Sequence, residues 1–290
     1  MIKKIGFIFI FLVLVILSGC NKNLTENVTE NEEFFYNPYT QKMIRYNDKL
    51  KKIELWNPAK NQFQYIIGNK NIFVNGNSYT NDFDLIKLEK FSITKIHEFH
   101  KNEGFFPIGE KNKKIYFIHS YYNENGSEDY KKRKIAIFDL ENKELKEFLN
   151  TKGLIDYGVV GDNYIYYTVY DNEKDTYSLM KIENSETNQI PEVVKTELND
   201  GLLLLANNEL YYSDGNRLIS DNKEYKKESV NFFYYDSLFQ FYLNQESQLC
   251  LKVTNTINNT SFTEENIVGI RIENDKVMIC KIGEVITHDL

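Results

Sequence analysis

The thiol of Cys20 is the group whose setting in the sequence indicates a specific chemistry. It ends the segment Leu17-Ser18-Gly19-Cys20, which closes an apolar run that begins at Ile5, directly after Lys3 and Lys4. A positively charged start, an apolar stretch and small residues before a cleavage point are the three parts of a secretory signal. The sequence therefore predicts export, with a secretory signal at the N-terminus.

The same segment resembles the lipobox of bacterial lipoprotein precursors, over residues 1–20 only. In that family the cysteine thiol is diacylglycerated and the cysteine becomes the new N-terminus. The resemblance therefore implies a signal peptide over residues 1–19 and lipid attachment at Cys20, with Leu17, Ser18 and Gly19 as the rest of the lipobox. A single acyl chain such as palmitate gives only marginal membrane binding, whereas two give a stable anchor. The resemblance implies a protein held at the extracytoplasmic face of the cell membrane.

An uncleaved transmembrane helix is the competing interpretation of this N-terminal run. Spanning the hydrocarbon core takes about 20 apolar residues. The run from Ile5 to Leu17 is shorter, and a polar segment begins at Asn21. The length therefore favours the cleaved lipoprotein signal.

The two other cysteines lie in strand-like runs at Cys250 and Cys280. An oxidising compartment would allow them to form a disulfide. Buried cysteine also behaves as a small hydrophobic residue, and a bridge needs Cα atoms within about 7 Å. We favour two free, buried thiols and keep the disulfide as the alternative.

The remaining candidates for site chemistry do not match a metal or catalytic motif. His97 and His100 are three residues apart, whereas zinc proteases place two histidines four apart on a helix. The oxygen-rich segments 123–129 and 171–175 lack the late glutamate of a calcium loop. We also find no nucleophile elbow, phosphate loop or dinucleotide fingerprint. The sequence predicts no catalytic residue, no metal site and no cofactor, although a scattered triad stays open.

Charge and composition restrict the partners and the domain organisation. The formal net charge of −7 becomes more negative once Lys3 and Lys4 are removed, and this disfavours nucleic acid. Residues 20–34 are rich in Asn, Thr and Glu and are expected to form a lipid-anchored flexible tether. Residues 35–290 have a globular composition and are expected to form one domain.

Short alternating runs rich in Tyr, Ile, Phe and Val dominate this domain, with Asn, Asp, Gly and Lys between them. A polar turn followed by an aliphatic and then an aromatic residue recurs, with starts at Ile44, Ile72, Ile115, Ile165, Leu210, Phe239 and Val277. An all-antiparallel repeat of this kind is typical of a β-propeller, and it resembles the loose propellers of secreted and lipid-anchored bacterial proteins. We predict an all-β propeller of six or seven blades, seven being favoured. The segment 34–36 is expected to supply the missing last strand of the terminal blade, after the strand pair at 277–290, and so to close the ring. A pair of β-sandwiches or a solenoid is the alternative.

The 21 tyrosines and 20 phenylalanines are the remaining functional signal. Clusters at 164–167 and 232–235 could contact a protein or a sugar, although strand aromatics more simply fill the space between sheets. We expect a binding or scaffolding module with a protein or glycan partner. The alternative is an extracytoplasmic hydrolase or lyase that acts on polysaccharide at the propeller mouth.

Overall fold

The computed structural model describes residues 32–55, 63–67, 72–77, 82–89, 92–100, 102–129, 132–150, 153–185 and 190–290. Within these ranges every regular element is a β-strand. The first eleven strands are β1 (Glu32–Asn37), β2 (Lys42–Asn47), β3 (Lys52–Leu55), β4 (Phe63–Ile67), β5 (Ile72–Asn77), β6 (Asp82–Glu89), β7 (Ser92–Glu98), β8 (Glu103–Lys111), β9 (Lys114–Tyr121), β10 (Lys134–Asp139) and β11 (Leu145–Asn150).

The remaining strands continue the same pattern of short antiparallel segments. They are β12 (Leu154–Val160), β13 (Tyr164–Asp171), β14 (Thr176–Glu183), β15 (Glu192–Leu198), β16 (Leu203–Ala206), β17 (Glu209–Asp214), β18 (Arg217–Ile219), β19 (Glu224–Lys226), β20 (Val230–Tyr234), β21 (Ser237–Leu243), β22 (Leu249–Asn255), β23 (Ser261–Glu264), β24 (Ile267–Glu273), β25 (Lys276–Lys281) and β26 (Glu284–Asp289). No described helix is long and apolar enough to cross a membrane.

Five four-stranded sheets are formed by strands that follow one another in sequence: β4 to β7, β8 to β11, β12 to β15, β16 to β19 and β20 to β23. A sixth sheet has the order β26-β25-β24-β1-β2-β3. The first strand of each sheet contacts the neighbouring sheet, as β8 contacts β12, β12 contacts β16 and β16 contacts β20. Sheets packed side by side through their first strands have the arrangement of a β-propeller.

Tight turns join the first and second strands of several sheets. Both residues of the turns Asn112-Lys113, Asn207-Asn208 and Asn274-Asp275 have positive φ. Two consecutive positive φ values define the type I′ turn, whose twist matches that of the flanking strands. After glycine, Asn and Asp are the residues that adopt this conformation most readily. The recurring Asn/Asp segments of the sequence are therefore hairpin turns.

Each of the seven expected repeat starts lies on the second strand of a consecutive antiparallel run, on β2, β5, β9, β13, β17, β21 and β25. Ile115 and Ile165 are fully buried, as expected, whereas Leu210 is only partly buried. The copy assigned to Phe239 is shifted by one residue. The hairpin closes at Tyr234 and Ser237, so Leu238 takes the position that Ile115 occupies in its own hairpin.

Side chains alternate between the two faces along these second strands, so each strand contributes to the packing on both sides of its sheet. Ile115 packs with Val74, Phe83 and Leu85 of the preceding sheet. The next residue, Tyr116, packs with Ile155 and other residues of the following sheet. Both faces are apolar because a blade in the ring has a neighbour on each side.

Contacts between turns place the first hairpins at one end of the ring, which we call the lower end. Lys111 donates to the carbonyl oxygen of Asp162 in the next hairpin. The Asp162 backbone N–H in turn donates to Asn208 Oδ1 at 3.0 Å, and Asn207 donates to Asp236. The end at which the first strands begin is the upper end.

Two glycines allow neighbouring sheets to approach closely near the ring centre. A Cβ on Gly158 would lie 3.1 Å from Ile108 Cδ1, and a Cβ on Gly269 would lie 2.8 Å from Ile44 Cδ1. A Cβ at position 269 would also lie 3.1 Å from the Tyr36 carbonyl oxygen and 3.2 Å from Phe35 Cβ, so a larger residue there would force β24 and its neighbours to shift.

The ring closes where the N-terminal strand β1 meets β24. Tyr36 and Ile270 form a single antiparallel backbone pair, and Asn37 Nδ2 donates to the Val268 carbonyl at 2.7 Å. The segment 34–36 was expected to follow the last strand. It lies instead beside β24, because β26 occupies the other edge of that hairpin group.

The domain begins earlier than expected. A tether over residues 20–34 was predicted, yet β1 starts at Glu32 and the Phe34 side chain is fully buried. Residues 1–31, with the signal peptide, Cys20 and most of the predicted tether, lie outside the described residues.

The thiols of Cys250 and Cys280 are both free and buried, which confirms the favoured alternative. Burial raises the pKa of Cys280 to about 12, so the thiol is neutral at physiological pH.

Candidate functional site

A groove lies between the sheet of β12 to β15 and the sheet of β16 to β19. It forms because β18 and β19 have three residues each, whereas the facing outer strand β15 has seven. The short strands leave β15 uncovered, and six of its seven residues are exposed. Among the described residues, the buried core at this junction contains Leu179, Leu198 and Leu203, compared with nine residues in the core at the previous junction.

The groove has a volume of about 760 Å³ and a mixed lining. Leu179 and Leu210 give it an apolar floor, and Val193 with Val194 forms the β15 wall. Tyr166 and Tyr212 also line it, and this is the part of the 164–167 aromatic cluster that faces a cavity. A concave site with apolar walls and a few polar groups is the usual form of a binding site.

Two lysines cover tyrosine rings beside the groove. Lys195 Nζ lies 4.5 Å from the centre of the Tyr212 ring and donates to its hydroxyl at 2.9 Å. Lys181 Nζ lies 5.0 Å from the centre of the Tyr164 ring and 3.0 Å from a Glu192 carboxylate oxygen. Among the described residues, no carboxylate lies within ion-pair distance of Lys195. The Lys195 ammonium group therefore lies at the groove without an ion-pair partner among the described residues.

Glu209 supplies a negative charge to the opposite wall. Its carboxylate accepts hydrogen bonds from Ser220 Oγ at 2.6 Å and from the Tyr211 hydroxyl at 3.0 Å. Burial opposes the charge, but these hydrogen bonds outweigh it and lower the pKa of Glu209. Glu209 is thus ionised and held in place by its own sheet.

A second polar region lies at the upper end of the ring, which we call the upper mouth. Asp200 accepts hydrogen bonds from Ser213 Oγ at 2.8 Å and from the Leu202 N–H at 2.9 Å, and it pairs with Lys227. Burial alone would raise the pKa of Asp200, but the ion pair and hydrogen bonds lower it. This carboxylate is held ionised by its neighbours.

Asp156 is the second carboxylate of the upper mouth. Arg133 Nη1 lies 3.2 Å from its Oδ1, and the Tyr177 hydroxyl donates to its Oδ2 at 3.2 Å. Burial, followed by the charge of Asp156, raises the pKa of Tyr177 to about 12. A third carboxylate, Glu103, lies 3.3 Å from His119 Nε2. Asp156 and Asp200 thus each have a cationic partner, and Glu103 has an imidazole ring beside it.

The other residues considered from the sequence have local structural roles. His97 packs against Phe99 and Phe138, with ring centres 5.0 and 4.7 Å apart, while His100 is exposed beyond the end of β7. In the aromatic cluster at 232–235, Phe232 stacks on Phe239 and Tyr234 is buried, so most of this cluster fills the core.

The two oxygen-rich loops use their side chains within their own turns. Asn125 Oδ1 accepts a hydrogen bond from Ser127 Oγ at 2.7 Å. Asp171 Oδ1 accepts one from the Glu173 N–H at 3.0 Å. Within the described part of the chain, no group of three or more His, Cys, Asp or Glu residues is placed to hold a metal ion.

The groove was not predicted from the sequence. Its only signal is the close spacing of polar turns at 214–216 and 220–223, which leaves room for very short strands between them. The lipobox residues Leu17, Ser18, Gly19 and Cys20 lie outside the described residues, so the structure does not connect them to either polar region.

Comparison with solved structures identifies relatives in fold. The crystal structure of TolB from Acinetobacter baumannii is similar, with a TM-score of 0.51 and 11% identity, covering 88% of this chain and 64% of that one. Pyrococcus horikoshii acylaminoacyl peptidase gives a TM-score of 0.50 and 10% identity, covering 92% and 51%. The chain thus spans less than two thirds of either relative. No protein-family model matches the chain, and no curated protein matches it. At these identities the likeness concerns the fold.

Proposed function

We propose that this chain is an extracytoplasmic lipoprotein whose propeller is a binding module, with the groove between β15 and the sheet of β16 to β19 as its binding site. The observation that carries the proposal is the groove itself. It is a concave site of about 760 Å³, beside an outer strand that the truncated neighbouring sheet leaves exposed. A partner that filled it would cover the apolar surface of β15.

Attachment to the membrane is the second part of the proposal. The segment Leu17-Ser18-Gly19-Cys20 supports lipid attachment at Cys20 on the extracytoplasmic face of the cell membrane. Residues 21–31 connect this cysteine to β1. A flexible segment of that length has a root-mean-square span on the order of 20 Å, which places the domain close to the bilayer.

The pairing of acids at the upper mouth favours binding over catalysis. A polysaccharide hydrolase needs one carboxyl group that carries a proton and a second that is free to act as nucleophile or base. Asp156 and Asp200 are instead engaged by Arg133 and Lys227. This arrangement gives no support to a carboxylate pair at the mouth, so the enzyme remains the alternative.

We further propose that the ring has seven blades. The six-stranded sheet is joined between β24 and β1 by one backbone pair only. Its two halves also pack face to face, with Phe35, Ile44 and Tyr46 from one half against Cys280 from the other. These contacts support two three-stranded blades, β1 to β3 and β24 to β26, beside the five four-stranded ones.

Fatty-acid labelling tests the lipoprotein proposal. Wild-type protein expressed in bacteria and grown with radioactive palmitate is expected to carry label, whereas Cys20→Ala is expected to carry none and to leave the membrane fraction. Cys250→Ala is the matched control and should label as wild type does, since that thiol is buried. Equal labelling of wild type and Cys20→Ala would refute the anchor.

A further inference from the structure

We infer that the occupant of the groove is a short peptide segment of a partner protein, with an aliphatic or aromatic side chain next to a carboxylate. This inference rests on the proposed binding function and specifies the chemistry of the ligand. It follows from three properties of the site, which are the exposed aliphatic wall, the lysine that has no carboxylate partner among the described residues, and the covered tyrosine rings.

The aliphatic wall requires an apolar partner. Ile190, Val193 and Val194 are 81, 61 and 46% exposed, within five residues of one another. Val193 and Val194 line the groove, whose floor includes Leu179 and Leu210. Several large aliphatic side chains exposed together mark an interaction surface, whereas a single one does not. One apolar side chain of a partner would contact the floor and the wall at the same time.

Lys195 determines the charge of the ligand. Its ammonium group lies over the Tyr212 ring and, among the described residues, has no carboxylate partner. The other lysine of the groove, Lys181, is already paired with Glu192. A carboxylate of the ligand would therefore form its ion pair with Lys195, partly shielded from water by the tyrosine.

The covered tyrosine rings favour a peptide over a sugar. Sugar recognition commonly uses the open face of an aromatic ring. Here Lys195 occupies a face of Tyr212, and Lys181 occupies a face of Tyr164. The floor and wall of the groove are aliphatic, and they suit a hydrocarbon side chain better than a hydroxylated ring.

The shape of β15 restricts the ligand to a short segment. Its pairing with β14 shifts register twice, between Tyr177 and Leu179 and again between Leu179 and Met180. Irregular edges of this kind oppose the addition of a long regular strand. The ligand is therefore held by its side chains in the groove more than by a continuous backbone ladder.

Selection from a displayed library of random peptides tests the inference. The full-length lipidated protein in detergent micelles is the target, and affinities of the selected peptides are measured by fluorescence anisotropy. We expect enrichment of peptides with an acidic residue beside an apolar one. Lys195→Glu is expected to weaken their binding about tenfold or more, as loss and reversal of a partly shielded ion pair would.

Two further protein variants and one altered peptide show whether the loss of binding is specific to the groove. Val193→Asp should weaken binding through the apolar wall, independently of Lys195. Lys174→Glu, an exposed charge reversal on the β13 to β14 turn, is the matched control and should bind as wild type does. Peptides whose acidic residue is replaced by lysine should regain affinity for Lys195→Glu. Unchanged thermal midpoints of all variants show that folding is intact.

Other outcomes would overturn the inference. Selected peptides that bind Lys195→Glu and Val193→Asp as tightly as wild type would place peptide binding elsewhere and leave the proposed binding function intact. Failure of any peptide to enrich, or binding of a glycan array that Lys195→Glu abolishes, would exclude the peptide as occupant. Self-association through the groove would appear as a dimer that Val193→Asp dissociates. This result would also exclude the peptide as occupant. The peptide-binding measurements do not test the lipid anchor, whose absence would be detected only in the Cys20 labelling experiment.

Discussion

Individual ionisable residues at the upper mouth are stabilised by ion pairs, either between neighbouring sheets or within one sheet. Arg133 directly precedes β10 and pairs with Asp156 on β12 of the next sheet. Lys227 follows β19 and pairs with Asp200, which precedes β16. A partly buried charge that loses its partner costs more than a surface pair contributes. The Arg133 pair therefore connects two adjacent sheets at the upper mouth, whereas the Lys227 pair connects the two ends of a single sheet.

The two buried cysteines are expected to be inert in the folded protein. The thiolate is the reactive form, and burial raises the pKa of Cys280 to about 12 and also raises the pKa of Cys250. Iodoacetamide at neutral pH should therefore modify neither thiol in the native protein and both in denaturant, as read by mass spectrometry. An engineered Tyr235→Cys, at an exposed turn, is the positive control. Rapid modification of Cys280 without denaturant would contradict its burial.

At the scale of strands, the sequence predicts what depends on local chemistry. The turn residues and the alternation after them identify a second strand in each of the seven runs, because type I′ turns and two-sided burial restrict residue types strongly. The one-residue shift at Phe239 arises because Leu238 and Phe239 are both apolar and both buried. Alternation alone cannot set the register in such a pair.

The groove and the ring closure could not be predicted from the sequence, for a different reason. The groove depends on the length of β18 and β19 relative to β15, which is a comparison between strands that meet only in the folded ring. The closure depends on a contact between Tyr36 and Ile270, which are distant in sequence. Neither leaves a periodic signal in the residues that form it.

Truncations on the second strands test both the repeat and the groove. Ile115→Ala and Ile165→Ala should each lower the free energy of unfolding by about 2–5 kcal/mol, since both side chains are fully buried. Leu210→Ala should cost less, because its side chain is partly buried at the groove floor. Urea denaturation measures all three. Lys174→Ala, at an exposed turn position, is the control and is expected within about 0.5 kcal/mol of wild type. A loss at Leu210 equal to that at Ile115 would mean that the groove is closed in solution.

At the scale of the whole molecule, the ring depends on how the two ends of the chain meet. Most neighbouring strands in this fold are joined by continuous backbone ladders, but β1 and β24 share a single pair. Side chains supply the rest of the junction. Arg271, 4% exposed, donates to the Phe34 carbonyl at 3.2 Å and to Glu33 at 3.0 Å. Its guanidinium also lies 4.9 Å from the centre of the Phe35 ring.

Arg271→Met is therefore expected to weaken ring closure. Methionine keeps the apolar stem but removes the donors, so Phe34 and Glu33 each lose a buried partner, at a cost of about 1–3 kcal/mol in the free energy of unfolding. Arg217→Met is the matched control. Its ion pairs with Asp214 and Glu224 lie at the surface with the arginine 50% exposed, and their loss should cost less than about 1 kcal/mol. Urea denaturation of the two variants distinguishes the free-energy cost of losing buried hydrogen-bond partners from the cost of losing a surface charge. Equal, small losses would show that backbone packing of β1 closes the ring without Arg271.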